Sequence, residues 1–312
     1  MRRGAVNAGI LALPRAYLRS AYPLALCLSC FCGCAAIPPF TLTPHSPRAR
    51  QHAKEEAQRT ARCHELSRNA QTAIDNHDDP TAETLLRQLV ELEPKSAEAH
   101  HRLGRVSQSS GRVDEAANEY AKALVLDREY VNAMIGLGTI EMSRGRPDAA
   151  VAQFESAIEI NPRNSEAHLE RAKALEALGR ADDALAAYFR TIEFAPNSLS
   201  ARLRVASIQL DRGQPDQALA RLDPLIEQYP DDAETRHQRG RANLALKRVA
   251  PALSDLKLAS EKLPDRPDVH YHLALALQAD HKTKAAIEAN EHALKLDPNY
   301  VEARELSKGL RR

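Results

Sequence analysis

The residues best equipped for chemistry in this chain are its twelve histidines and five cysteines, because imidazole and thiolate serve as metal ligands, nucleophiles and general bases. Cys27, Cys30, Cys32 and Cys34 crowd into one apolar run, and Cys63 stands alone. A zinc site needs a second pair of ligands at matching spacing, and no such pair follows the run. A disulfide framework would spread its cysteines through the fold, which this chain does not do. His100, His168 and His270 recur at multiples of 34 residues, so they belong to a repeated packing position. His270 and His272 lie two apart and point to different sides of a helix. The sequence contains no glycine-rich phosphate loop, no strand-borne nucleophile and no region long enough for a catalytic domain. The expectation is therefore no catalytic residue, no metal and no cofactor.

The elements that carry these residues follow from composition and period. The chain has 312 residues, 43% hydrophobic and 27% charged, which excludes a disordered chain. Lys and Arg number 43 against 42 Asp and Glu, so charge gives no reason to expect nucleic acid as a partner. Aromatics are 4%, with no Trp and 12 Gly, which argues against a β-rich fold.

One period dominates. Pro94, Pro162, Pro196, Pro230, Pro264 and Pro298 share a 34-residue register, with Arg128 in the gap. Placing them at position 32 defines units 63–96, 97–130, 131–164, 165–198, 199–232, 233–266 and 267–300, without insertion or deletion. Position 20 is then always alanine: Ala82, Ala116, Ala150, Ala184, Ala218, Ala252 and Ala286. Position 8 is always small, as in Ala70, Gly104, Gly138 and Gly240. Small residues at 8 and 20 let two helices approach, and bulky residues at 24 (Leu86, Tyr120, Phe154, Tyr188, Leu222, Leu256) fill the space beside them. Gly at position 15 (Gly111, Gly145, Gly179, Gly213) suits the left-handed end of a first helix. Asp at 18 favours the start of a second, and proline at 32 ends it.

In length and pattern these units resemble the tetratricopeptide repeat. The resemblance implies an all-α fold, a right-handed α-solenoid of seven tandem 34-residue helix–turn–helix repeats with a concave groove. The chain departs from the family at position 4, where Leu66, His100, Met134, His168, Arg202, Arg236 and His270 replace the usual Trp. Asn290 replaces the bulky residue at 24 of the last unit, and His77 replaces the turn Gly of the first. In the family, groove residues come from positions 2, 5, 9, 12 and 13. That mapping gives His101, Arg105, Gln108, Ile135, Met142, Leu169, Leu203, Leu210, His237, Arg241, Leu244, Tyr271 and Leu275. Ile135, Leu169 and Leu203 would form an apolar strip with Arg105 and Arg241 at its ends; some of these side chains would instead pack between repeats. The Lys and Asn pair with which some relatives clamp a C-terminal carboxylate is absent from every unit.

The N-terminus reads as an export signal over 1–34. Arg2, Arg3, Arg15 and Arg19 precede an uncharged run from Ala21 to Ile37. The end of this run resembles a bacterial lipoprotein signal, with Phe31-Cys32-Gly33-Cys34 the best match and Cys27-Leu28-Ser29-Cys30 the second. Cys34 is thus the expected lipidation site; simple cleavage after Ala35 and an uncleaved anchor are the alternatives. A Pro-rich linker over 35–50, a helical extension over 51–62 and a capping segment over 301–312 complete the organisation. The function expected is a non-enzymatic scaffold of the cell envelope, tethered to a membrane through its N-terminus and binding a peptide segment of a protein partner in its groove. An accessory subunit of an envelope enzyme or glycosyltransferase system is the alternative.

Overall fold

The computed structural model describes residues 46–310. The expected signal, with Cys34 and Cys30, lies outside the described residues, as does most of the linker. The chain divides into two units, Met1–Glu55 and Glu56–Arg312, and the second holds the repeats. Among the described residues there are fifteen α-helices and no strand. None of these helices is long and apolar enough to cross a membrane.

The long helix α1 (Pro47–Asp75) opens the described region. It begins inside the expected linker because Ser46 Oγ accepts from the Ala49 N–H, 3.1 Å away, and Pro47 occupies the first helical position, where a missing N–H costs nothing. The expected extension over 51–62 is therefore continuous with the first helix of the first repeat. First helices follow at α3 (Ala97–Ser109), α5 (Val131–Ser143), α7 (Ser165–Ala177), α9 (Leu199–Asp211), α11 (Ala233–Ala245) and α13 (Pro267–Ala279). Second helices are α2 (Asp79–Leu92), α4 (Val113–Leu126), α6 (Pro147–Ile160), α8 (Ala181–Phe194), α10 (Pro215–Gln228), α12 (Val249–Lys262) and α14 (Thr283–Leu296). A short α15 (Val301–Leu310) ends the stack. From α3 to α13 every first helix starts 34 residues after the one before. Each pair packs within itself and on the next pair, which is the contact pattern of an α-solenoid.

Local chemistry explains the boundaries. Ser96, Asn164 and Asp232, one residue before a first helix, accept from the N–H three residues on at 3.2, 2.9 and 2.7 Å. At the other end, Gly111 N donates to Gln108 O at 3.0 Å and Arg112 N to Ser107 O at 2.8 Å, closing the helix around a left-handed residue. Position 15 is left-handed in every repeat: φ is 77°, 69°, 72° and 69° at its four glycines, and 57°, 58° and 59° at His77, Lys247 and His281. The backbone geometry of the repeat thus overrides the side chain at those three positions. Because a left-handed non-glycine residue costs about 1–2 kcal/mol, Lys247→Gly should raise stability by about 1 kcal/mol. An unchanged or lower urea midpoint would contradict that.

The core runs along the interface of the two helix rows. All seven position-20 alanines are 0% exposed. A Cβ at Gly104 would lie 2.8 Å from the Tyr120 ring, and one at Gly138 would lie 2.4 Å from the Phe154 ring. Position 4 does not simply refill the space of the absent Trp. The position-4 side chains His100, His168, Arg236 and His270 reach the carbonyl of Pro94, Pro162, Pro230 and Pro264, the position-32 proline before each, at 3.3, 3.0, 2.8 and 2.8 Å. A hydrogen bond across the turn is added at these positions, and His168 and His270 also keep ring contacts, with Phe194 at 5.4 Å and His292 at 4.2 Å. At the C-terminal end, Asn290 is 1% exposed and its Nδ2 donates to Ala303 O at 2.8 Å. The polar residue at position 24 of the last unit thus ties down α15, whose Leu310 closes the last core cluster.

Candidate peptide-binding groove

First helices of neighbouring repeats touch one another, whereas second helices make no comparable contact. The row of first helices therefore lies on the inside of the curve, and its outward positions line the groove. That row has two halves. α5 touches both α3 and α7, and α11 touches both α9 and α13, but α7 and α9 are not in contact to a similar degree. The seam between the halves is polar: Arg204 Nε donates to Glu176 Oε2 at 3.1 Å, and Tyr188 Oη also donates to Glu176.

Each half carries one hollow. The hollow of α3, α5 and α7 holds about 350 Å³ and is lined by His101, Arg105, Gln108, Tyr120, Asn132, Ile135, Gly136, Thr139 and Glu166. Its floor is a linear chain of hydrogen bonds. Tyr120 Oη donates to Gln108 Oε1 at 2.8 Å, Gln108 Nε2 to Thr139 Oγ1 at 3.0 Å, and Thr139 Oγ1 to Gly136 O at 2.8 Å. Burial pushes the Tyr120 hydroxyl up to about 12, so it remains a donor throughout the physiological range. His101 is 8% exposed, and burial, with Arg105 and Arg102 nearby, lowers it to about 4, which keeps the ring neutral.

The second hollow, of about 380 Å³, is lined by Leu210, Arg241, Leu244, Ala245, His272 and Leu275. It is an apolar cup with one cation on its wall. That cation is engaged: Arg241 donates to Asp211 Oδ1 at 2.9 Å and to Gln238 Oε1 at 2.8 Å. Behind the cup, His272 Nδ1 lies 3.0 Å from His237 Nε2. Burial, then His237 and Arg241, lowers His272 to about 3, so this imidazole pair is uncharged at His272 above acidic pH.

The expected groove residues divide accordingly. Arg105, Leu210, Arg241, Leu244 and Leu275 line the hollows and reach the surface. Met142, Leu169 and Leu203 are partly buried against the core, and so are Leu210 and Leu244 among the lining residues. Ile135 at 4% and His237 at 1% exposure are core, and His101 is nearly so; Ile135 adds almost no surface to the expected strip. Tyr271 is partly buried and meets Tyr300 edge-on, with ring centroids 5.2 Å apart. The named set missed Asn132 and Glu166, which stand at position 2 of the third and fourth units, and His272, at position 6. Position 2 was among the family's groove positions, so the first two were findable; nothing in the spacing singled out His272. Among the described residues, no cluster of three or more His, Cys, Asp or Glu side chains is arranged to hold a metal.

The tetratricopeptide repeat family pattern matches residues 68–131, 135–198, 204–267 and 267–300. No curated protein matches the chain at a comparable level. Among solved structures, the chain is similar to the Cut9 and Hcn1 hetero-tetramer of the APC/C, with a TM-score of 0.66, 16% identity, and coverage of 78% of this chain and 48% of that one. A tetratricopeptide repeat protein from Parabacteroides merdae gives 0.55 at 20% identity over 81% of this chain and all of that one. YrrB, described as a TPR protein with an unusual peptide-binding site, gives 0.51 at 19% identity over 62% and 99%.

Proposed function

The chain belongs to the tetratricopeptide repeat family, and from that membership we propose that it is a non-enzymatic scaffold holding a peptide segment of a protein partner along its row of first helices. The observation that carries this reading is the apolar cup of Leu210, Leu244 and Leu275, which stays open on the inside of the curve with its three leucines only partly buried. Apolar surface left in a concave groove marks a binding site. A protein of similar fold, YrrB, has a peptide-binding site by description, which supports the same use of the groove here.

The test uses peptides selected from a random display library on the purified full chain. Leu210→Ser combined with Leu244→Ser should weaken their binding at least tenfold while the helical circular dichroism is retained. Unchanged binding would show that the cup is not the site, and loss of helical signal would show that these leucines are core.

The scaffold is proposed to act in the cell envelope, exported and tethered through lipid on Cys34. Four arginines ahead of the uncharged run, and Gly33 before Cys34, support this. Removing residues 1–33 takes away those four positive charges, leaving 39 basic residues (43 minus 4) against 42 acidic ones, a net of −3. Metabolic labelling with a fatty acid should mark the wild type and not Cys34→Ala. Persistent labelling would move the acceptor to Cys30, and a mature mass that still includes Met1 would contradict processing.

A further inference from the structure

We propose that the polar hollow between α3, α5 and α7 receives an acidic side chain from within the bound segment, its carboxylate held by Arg105 and Asn132. This rests on the groove reading and adds the chemistry that one half of the groove selects.

The first observation is an unspent cation. Arg105 is exposed and, among the described residues, makes no hydrogen bond or ion pair. Several other arginines of the first helices are engaged, Arg102 with Ser67, Arg204 with Glu176 and Arg241 with Asp211, whereas Arg68 and Arg202 also have no side-chain partner among the described residues but line neither hollow. The second is an imidazole that is mostly buried yet keeps its ring nitrogens in reach of the hollow, where they meet no protein partner. His101 lines the hollow and is more than nine-tenths buried. It is held by ring contacts to Tyr120 and Tyr130, with centroids 5.7 and 5.3 Å away, and neither ring nitrogen is hydrogen-bonded. The third is that Asn132 and Glu166, both exposed at the rim, are also without hydrogen-bond partners, while the Tyr120, Gln108 and Thr139 floor is satisfied internally.

A carboxylate answers the donors. It accepts from the Arg105 guanidinium, which presents two parallel N–H groups, and from the Asn132 amide, with the imidazole N–H of His101 as a third donor. Glu166 only accepts, so it needs N–H groups from the ligand. A residue inside a peptide brings backbone N–H groups on both sides of its acidic side chain, whereas a chain end brings them on one side. A basic residue would suit Glu166 but would face Arg105 and leave His101 unmet. The hollow's size, about 350 Å³, fits one side chain with its flanking peptide groups.

The test repeats the random-library selection on the full chain and on Arg105→Glu. Wild-type selections should converge on peptides with one fixed Asp or Glu. A synthetic copy should bind Arg105→Glu at least tenfold more weakly, with Arg105→Lys in between and the melting curve of each variant unchanged. Changing the peptide's acid to its amide should give the same loss, and amidating the peptide's C-terminus should give none. Selected peptides lacking an acidic position, or an acidic peptide bound equally by Arg105→Glu, would overturn the proposal. The groove reading would still stand if Leu210→Ser with Leu244→Ser abolished their binding. Loss on C-terminal amidation would overturn the internal side chain as the source, and a selection returning no peptide would overturn both readings.

Discussion

Asp255→Ala is expected to cost about 3–5 kcal/mol, the scale for leaving a buried ion pair without one partner. Asp255 is 1% exposed and takes Arg236 Nη1 at 3.0 Å, Arg239 Nε at 2.7 Å and Arg239 Nη2 at 2.8 Å. Both arginines are mostly buried, with side chains 19% and 22% exposed. Truncation strands two guanidiniums against the core; Arg236 keeps the Pro230 carbonyl, which places the loss toward the lower end of that range. The same pair of positions, 4 and 23, meets again in the second unit, where His100 Nδ1 lies 2.6 Å from Glu119 Oε2. Asp223→Ala provides the contrast. Its side chain is 53% exposed and meets Arg239 at 3.4 Å, so its loss should cost well under about 1 kcal/mol. Urea midpoints for the two variants measure the difference, and equal midpoints would contradict the buried network.

Gly138→Ala comes next in size. The added Cβ would sit 2.4 Å from Phe154 Cε1, and Phe154 is 0% exposed with no room to turn. Overpacking of this kind costs about 1–3 kcal/mol. Gly309→Ala is the matched control: nothing lies within 4 Å of its Cβ position, and alanine favours the helix there. In a stack whose repeats rely on their neighbours, the Gly138 defect should lower the whole transition rather than one edge of it. A transition at the wild-type temperature for Gly138→Ala would contradict the packing of position 8 on position 24.

How much of this was legible depends on whether backbone or neighbours decide. The 34-residue period was legible because its small-residue signals recur in every unit, while the turn glycine recurs in four of the seven and a side-chain cap in only some. The left-handed turn was legible from four glycines and holds even at Lys247 and His281, where the side chain argues against it. The role of position 4 was not, because a missing Trp says only that packing has changed; the carbonyl that His168 and Arg236 seek belongs to the preceding repeat. Burial of Ile135 was hidden for a similar reason. Ile135 packs into the core cluster that Val151, Phe154 and the α7 residues Ala172 and Leu175 form, so its burial is decided by the following helices. A single unit's spacing cannot state how near the next helix comes. Division of the groove into a polar and an apolar half follows from those inter-helix distances, so the sequence suggested one apolar strip where the structure has two unlike hollows.

The most direct test of the peptide-binding groove is site-specific photocrosslinking in cells. A photoreactive phenylalanine analogue would replace Leu244 on the inside of the curve in one strain and Glu159, exposed on a second helix, in another. A discrete crosslinked protein is expected from position 244, lost when Leu210 is also changed to Ser, and none from position 159. Crosslinks from position 159 alone, or identical crosslinks from both, would contradict the peptide-binding groove.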